Sequence, residues 1–228
     1  MQVLKFGGSS VANAENMMKV VDIVTKAVDR DRTILVSSAI SGCTDTLIKI
    51  GTLAAERDES YKALIDELQQ KHHEIINSIL PREKQMDSTQ VCDTLFDSLR
   101  SIAQGVYLLG ELSPASLDAI QGFGELWSTK ILATKLASIG IATKWVDSRQ
   151  IVRTVSKNGK NIVDTQKTYY KINEVVENDP VTQLFVLPGF IASDKQGRTT
   201  TLGRGGSDYT AALYAVGCKA RILEIWTD

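Results

Sequence analysis

Cysteine is scarce. Cys43, Cys92 and Cys218 are the only three in 228 residues. None forms a C-x-x-C pair and the count is odd, which argues against a disulfide framework or a zinc site and for free thiols in a reducing compartment. Only two histidines are present, His72 and His73. Adjacent residues on a helix point in different directions, so the pair is poorly placed to grip one metal ion, and no metal site is expected. Neither sign of charge prevails. The 26 basic and 27 acidic residues leave a formal net charge of -1, which offers no global field to nucleic acid or a membrane surface. No uncharged apolar run approaches the ~20 residues that a membrane helix needs. MQVLKFGGSS lacks the basic-then-apolar order of a secretion signal, so a cytoplasmic location is expected. Sixteen glycines and four prolines are too few for collagen or a disordered tract.

What remains is 43% hydrophobic, enough to bury a substantial core. Short β-prone runs alternate with stretches of helical period, the pattern of an α/β fold with a mainly parallel central sheet between helical layers. Strands are expected at Val3–Phe6, Thr33–Ser37, Thr143–Val146, Leu184–Leu187 and Ile222–Trp226. Their near-continuous apolarity predicts cover on both faces. A helix is expected from about Ala14 to Arg30. The sequence between Asp45 and Gly140 reads as a long helical excursion, with one stripe through Tyr61, Leu64, Ile65, Leu68, Ile75, Ile76 and Ile79. A second runs through Val91, Leu95, Leu99, Ile102 and Val106. Ser113-Pro114 marks a further helix start. Peripheral hairpins are expected about Asn158-Gly159 and Lys195-Gln196-Gly197.

Four segments could carry chemistry. Lys5-Phe6-Gly7-Gly8-Ser9-Ser10 closes a strand and opens a helix; its glycines let backbone N–H groups approach an anion, and Lys5 supplies positive charge. An ordinary tight turn with a cap would use the same residues. Gly203-Arg204-Gly205-Gly206-Ser207-Asp208 repeats the arrangement with Arg204, suited to a carboxylate, and Asp208, suited to orienting a lysine or capping a helix. It is no dinucleotide fingerprint, because Asp208 stands where the last glycine belongs. Ser37 to Asp45 offers small hydroxyl residues after a buried strand, either a polar pocket floor or a plain turn. Gly122-Phe123-Gly124-Glu125 puts two costly glycines in a helix, which calls for a close approach; Glu125 suits an ammonium group, although many helix glutamates are simply solvated. Cys43 lacks a base to make it a nucleophile. Trp127, Trp145 and Trp226 are expected in the core.

Taken together, KFGGSS at 5–10, VSSAISGCTDTL at 36–47, GFGELWS at 122–128, LPGFIASD at 187–194, LGRGGSDYTAAL at 202–213 and EIWTD at 224–228 resemble the amino-acid kinase superfamily. Within it they resemble the aspartokinases, and the helical excursion and EIWTD resemble the kinase part of bifunctional aspartokinase–homoserine dehydrogenases. The resemblance implies a three-layer α/β sandwich and transfer of phosphate from ATP, with Mg2+, to the β-carboxylate of L-aspartate. The product, 4-phospho-L-aspartate, opens the synthesis of lysine, threonine and methionine. By matched position, Lys5 and Asp208 would be catalytic. Ser38, Thr44, Glu125, Arg204 and Ser207 would hold aspartate, while Gly7, Gly8, Ser9, Thr227 and Asp228 would meet the nucleotide. A homo-oligomer is implied for the full-length enzyme.

The sequence departs from the family pattern in places. Ser9 replaces the usual threonine and keeps its hydroxyl. The continuation after WTD, the regulatory domains and any dehydrogenase domain are absent from these 228 residues. The chain is therefore expected to be a kinase domain truncated on its nucleotide side and unable to turn over alone. Two other functions stay open: a kinase of the superfamily acting on another carboxylate, and a non-catalytic module binding an effector anion.

Overall fold

In the computed structural model, residues 1–157 and 160–227 are described. Five strands form one wholly parallel sheet: β1 (Gln2–Phe6), β2 (Thr33–Ser37), β3 (Thr143–Trp145), β6 (Leu184–Pro188) and β9 (Ile222–Trp226), in the order β3-β6-β2-β1-β9. Side chains alternate between the faces of such a sheet. Leu4, Phe6, Leu35, Leu184 and Val186 therefore enter one core, and Val3, Ile34, Val36, Phe185 and Leu187 the other. The first core is shared with α1 (Ala14–Val28) and a run of five helices: α2 (Cys43–Ala55), α3 (Tyr61–Ile79), α4 (Arg82–Leu109), α5 (Pro114–Gln121) and α6 (Phe123–Ser138). The second is shared with α7 (Thr165–Glu177) and α8 (Gly206–Gly217). The result is the three-layer α/β sandwich expected from the sequence.

Two of the expected strands are not covered on both faces. β3 and β9 are the sheet's edges, with β3 half-buried to exposed and Ile222, Ile225 and Trp226 of β9 exposed. Lys144 interrupts the apolar run of β3 and Glu224 that of β9, but Lys5 does the same in the buried β1, so a single charge does not tell an edge from a centre. The stripe on α4 also differs: Cys92, Phe96, Leu99, Ala103 and Val106 are buried, while Val91 is 43% exposed. Both stripes keep helical spacing, and only the position of α3 and α6 decides between them. The α3 stripe is as expected, except that Leu64 is only half-buried and His72 is added to it. Of the tryptophans, Trp127 is core, whereas Trp145 is half-buried and Trp226 lies exposed, stacked on Phe6.

Ser113 caps α5 as expected, its hydroxyl accepting from the Ser116 N–H at 3.1 Å. Two antiparallel ribbons flank the sheet: β4 (Thr154–Lys157) with β5 (Lys160–Val163), and β7 (Ile191–Ser193) with β8 (Thr199–Thr201). The Asn158-Gly159 turn expected in the first lies outside the described residues. That ribbon starts at Thr154, because Ser148–Gln150 forms a short 3-10 turn and Ile151 and Val152 follow it into the core.

Candidate active site

The carboxyl ends of β1, β2, β6 and β9 open into one cleft, at the place where parallel α/β sheets bind ligands. Its volume is about 480 Å3, and it is lined by Lys5, Gly7, Gly8, Ser9, Ser38, Thr44, Glu125, Arg204, Ser207, Asp208 and Thr227. These are all the site residues expected from the sequence except Asp228, which lies outside the described residues.

Lys5 belongs to β1 and faces α8. Its ammonium lies 2.6 Å from Asp208 Oδ1, with the lysine side chain 8% exposed and the aspartate 48%. Asp208 stands in the first turn of α8 but caps nothing. The cap position is Gly205, at φ 74° with no side-chain cap. α2 begins the same way, at Gly42 with φ 78° and no side-chain cap. Left-handed backbone is what glycine tolerates, and a glycine cap leaves the first N–H groups of the helix without a side-chain acceptor. Two helix amino ends, each carrying partial positive charge, therefore meet in one cleft beside Lys5. Arg204 is exposed there, with no hydrogen-bond or ion-pair partner among the described residues.

Glu125, in the first turn of α6, is buried. One carboxylate oxygen, Oε1, accepts from the Ala39 N–H at 3.2 Å, and Oε2 has no partner. Burial raises its pKa from 4.5 to about 8, and the Ala39 hydrogen bond opposes that rise only in part. A group that is neutral when alone and poised to ionise beside a cation is held at the bottom of the cleft. Gly122 ends α5 and begins α6, so GFGE straddles a helix junction rather than lying within one helix. Gly124 answers for its own cost, because a Cβ there would stand 2.7 Å from the Ala39 Cβ. Ser128 ties the same helix to the carbonyl of Ser38 at 2.8 Å.

Glycine also sets the spacing elsewhere. A Cβ on Gly7 would lie 3.5 Å from Lys5 Nζ, and one on Gly8 would lie 3.1 Å from the Ala39 carbonyl oxygen. Ser207 is buried against Gly189, where a Cβ would approach to 2.7 Å. Cys43 lies beside the cleft entirely buried, and burial pushes its thiol pKa far up, so no thiolate forms there. His72 and His73 part company as expected. His72 Nδ1 meets the Leu68 carbonyl at 2.7 Å inside the core, and His73 Nε2 meets Asp93 at 2.6 Å on the outside.

Ser41 and Asp45 join the cleft wall, so the segment from Ser37 to Asp45 is a pocket floor, whereas Phe190 on the same wall was given no role by sequence reasoning. Phe190 sits at φ 64°, a conformation that disfavours a bulky side chain. Its N–H donates to Thr210 Oγ1 at 3.0 Å, and its carbonyl accepts from Leu202 at 2.9 Å. These bonds fix the Gly203–Gly206 turn above it. Nothing in a phenylalanine announces left-handed backbone; only Gly189 before it gave a signal.

The profile of the amino acid kinase family matches residues 1–228. The chain is 33% identical over 237 residues to the lysine-sensitive aspartokinase 3 of Escherichia coli (strain K12), covering 99% of this chain and 48% of that protein. It is 31% identical over 228 residues to the chloroplastic bifunctional aspartokinase/homoserine dehydrogenase 1 of Zea mays, covering 99% of this chain and 24% of that one. A crystal structure of E. coli aspartokinase III in complex with aspartate and ADP superposes with a TM-score of 0.89 at 29% identity, over 100% of this chain and 49% of that one. The chain thus spans between about a quarter and a half of these relatives. With its parallel sheet, its glycine-capped helix ends and its profile match all covering the same residues, the chain belongs to the amino acid kinase family.

Proposed function

We propose that the chain carries an aspartate kinase site, transferring the γ-phosphoryl group of ATP to the β-carboxylate of L-aspartate. The observation that carries this reading is the nearly buried Lys5 ammonium held 2.6 Å from Asp208, in a cleft where two uncapped helix ends converge. Phosphoryl transfer asks the protein for positioning and for stabilisation of charge on the transferring oxygens. The acceptor is an ionised carboxylate, so no protein base is needed. One aspartate β-oxygen forms a bond to the γ-phosphorus, the bond to the bridging oxygen breaks, and ADP leaves with the electron pair.

In this reading Lys5 meets the transferring oxygens and Asp208 orients it. Arg204 takes the α-carboxylate of the amino acid. Glu125 takes the ammonium through Oε2, and Ser38, Thr44 and Ser207 supply hydroxyl contacts. Gly7, Gly8 and Ser9 cradle phosphate, with Thr227 and Asp228 toward the nucleotide. The donor set fits magnesium only as a passenger of the phosphates. Among the described residues there is no cluster of three or more His, Cys, Asp or Glu side chains that would hold a metal, and magnesium is commonly bound through phosphate oxygens, water and one or two carboxylates. When bound, it would neutralise developing phosphate charge. The related E. coli structure in complex with aspartate and ADP supports the pairing of ligands.

We also read residues 1–228 as a single kinase domain whose nucleotide side is the less enclosed. Thr227 is exposed, while Glu125 and Ser207 on the amino-acid side are buried. A homo-oligomer and a cytoplasmic place are part of the same reading; among the described residues no helix is long and apolar enough to cross a membrane. The test is calorimetric titration with L-aspartate, L-glutamate and N-acetyl-L-aspartate, beside an assay of acceptor-dependent ADP release. Aspartate is expected to bind most tightly, and blocking its amine to abolish binding. Preference for an acceptor without an amine would overturn the assignment of Glu125 and the substrate with it.

A further inference from the structure

A second cavity, of about 320 Å3, lies away from the cleft, between the first half of α4, the middle of α6 and Trp145 of β3. It falls at the low end of the ~300–1,000 Å3 typical of small-ligand sites. Its walls include two indoles, Trp127 and Trp145, with Val91 and Leu95. Two features of these walls lack a partner. The Trp127 indole N–H is buried, in a residue only 1% exposed, and donates to nothing among the described residues. Buried donors left without an acceptor are rare and costly. Lys130, half-buried, has no carboxylate within ion-pair distance among the described residues; its ammonium rests 3.7 Å from the centre of the Trp145 ring. Burial lowers its pKa, with Asp147 opposing that shift and Arg149 adding to it.

An ammonium set on an indole face at the cavity wall, with no carboxylate beside it, calls for an anionic acceptor. The indoles and aliphatic side chains call for an apolar body. Lys84 and Asp87 also line the space and offset each other, so the charge left to be matched is that of Lys130. We propose that this cavity binds a small monocarboxylate with an apolar, ring-sized body, its carboxylate on Lys130 and its body against Trp127 and Trp145. This is a different place from the cleft and does not rest on the reading of the cleft as an aspartate kinase site.

The probe is 3-phenylpropionate, which leaves the window of indole emission clear. Titrated into the chain, it is expected to change tryptophan fluorescence saturably at one site. The uncharged 3-phenylpropionamide should bind about tenfold more weakly or worse, since it lacks the charge-assisted contact. Lys130→Met should weaken the acid by the same factor and leave the amide unchanged, whereas Lys130→Arg should retain the acid. Should Lys130→Met lose its near-ultraviolet dichroism, Lys130→Gln takes its place. Arg204→Ala, in the other cleft, should bind the acid normally. A non-saturating response, equal affinity for acid and amide, or loss of binding in Arg204→Ala would each overturn the proposal.

Discussion

Lys5 and Asp208 are unequal partners in their ion pair, and this makes their replacement informative. Removing Lys5 leaves a carboxylate that is about half exposed and can be hydrated; removing Asp208 leaves an ammonium that is 8% exposed and cannot. Asp208→Ala is therefore expected to cost roughly 1–3 kcal/mol of stability, the range for a buried polar group left unpaired, and Lys5→Met distinctly less. Urea unfolding of the two variants side by side checks the order. On activity, measured in a longer enzyme that carries this domain, the order reverses: Lys5→Met should lose phosphoryl transfer by roughly a hundredfold or more, as for loss of one charge-stabilising donor, with aspartate affinity nearly kept. Glu125 gives a pH prediction. Its folded-state pKa, about 8, lies above the ordinary 4.5, so the folded state holds the proton more tightly than the unfolded chain. The stability this contributes is full below about pH 4.5 and is lost as the pH rises toward 8. Buried His72, its pKa lowered from 6.5 to about 4, works in the opposite sense and offsets this below about pH 6.5. Denaturation midpoints of the unliganded chain should therefore fall chiefly between about pH 6.5 and 8, and those of Glu125→Gln should not. A flat profile over that upper range in the unmutated chain would show that Glu125 is already ionised. Binding of an ammonium-bearing amino acid near pH 7 should then release a proton, seen as buffer-dependent heat. Lys5, Arg204 and Asp208 could be singled out in the sequence because each adjoins a glycine-rich turn that opens a helix, and because these motifs together resemble one family. Phe190 was not, because its left-handed backbone is imposed by Thr210 and Leu202.

At the scale of elements, the cleft is built from strand ends and helix beginnings that meet at glycine. Gly124 is where α6 touches the loop after β2, and the Ala39 N–H in that loop binds Glu125. Gly124→Ala would gain about 1 kcal/mol of helix propensity. It would also force two β-carbons to within 2.7 Å, and overpacking costs about 1–3 kcal/mol. Neither β-carbon can swing aside, so the clash should win, with a net loss of up to about 2 kcal/mol by urea unfolding and weakened amino-acid binding as the Ala39–Glu125 contact shifts. A variant as stable as the parent would show that the loop yields freely. Elements were legible in the sequence where period and punctuation agreed, as at Ser113-Pro114 and along α3. They were not legible where two stripes on one helix had the same spacing. Val91 and Cys92 are neighbours, and only the packing of α3 and α6 against α4 puts Cys92 inside and Val91 outside.

For the molecule as a whole, the order of strands is what sequence patterning does not convey. The run Ile222–Trp226 is interrupted by Glu224, whereas the central Leu184–Leu187 carries no charge; yet Lys5 interrupts the buried β1 as well, so one charge does not say which strand is an edge. The fold puts β9 at the margin beside β1, with Ile222, Ile225 and Trp226 exposed at 46%, 49% and 39%. An open strand edge with apolar side chains is a template for pairing with another chain. Long-range repulsion does little to oppose this, because the net charge is only -1 and the isoelectric point is about 6.2. The 228-residue chain is therefore expected to self-associate reversibly through β9, most strongly near pH 6 and less as the pH moves away and net charge accumulates. Light scattering over a concentration series at pH 6 and pH 8.5 measures this directly. Ile222→Lys places a charge on the exposed edge at the end of β9 that pairs with Gln2, away from the cleft, and should shift the chain toward monomer at both pH values. If Ile222→Lys associates as the parent does, the contact lies elsewhere on the molecule. If association is the same at both pH values, charge is not what restrains it.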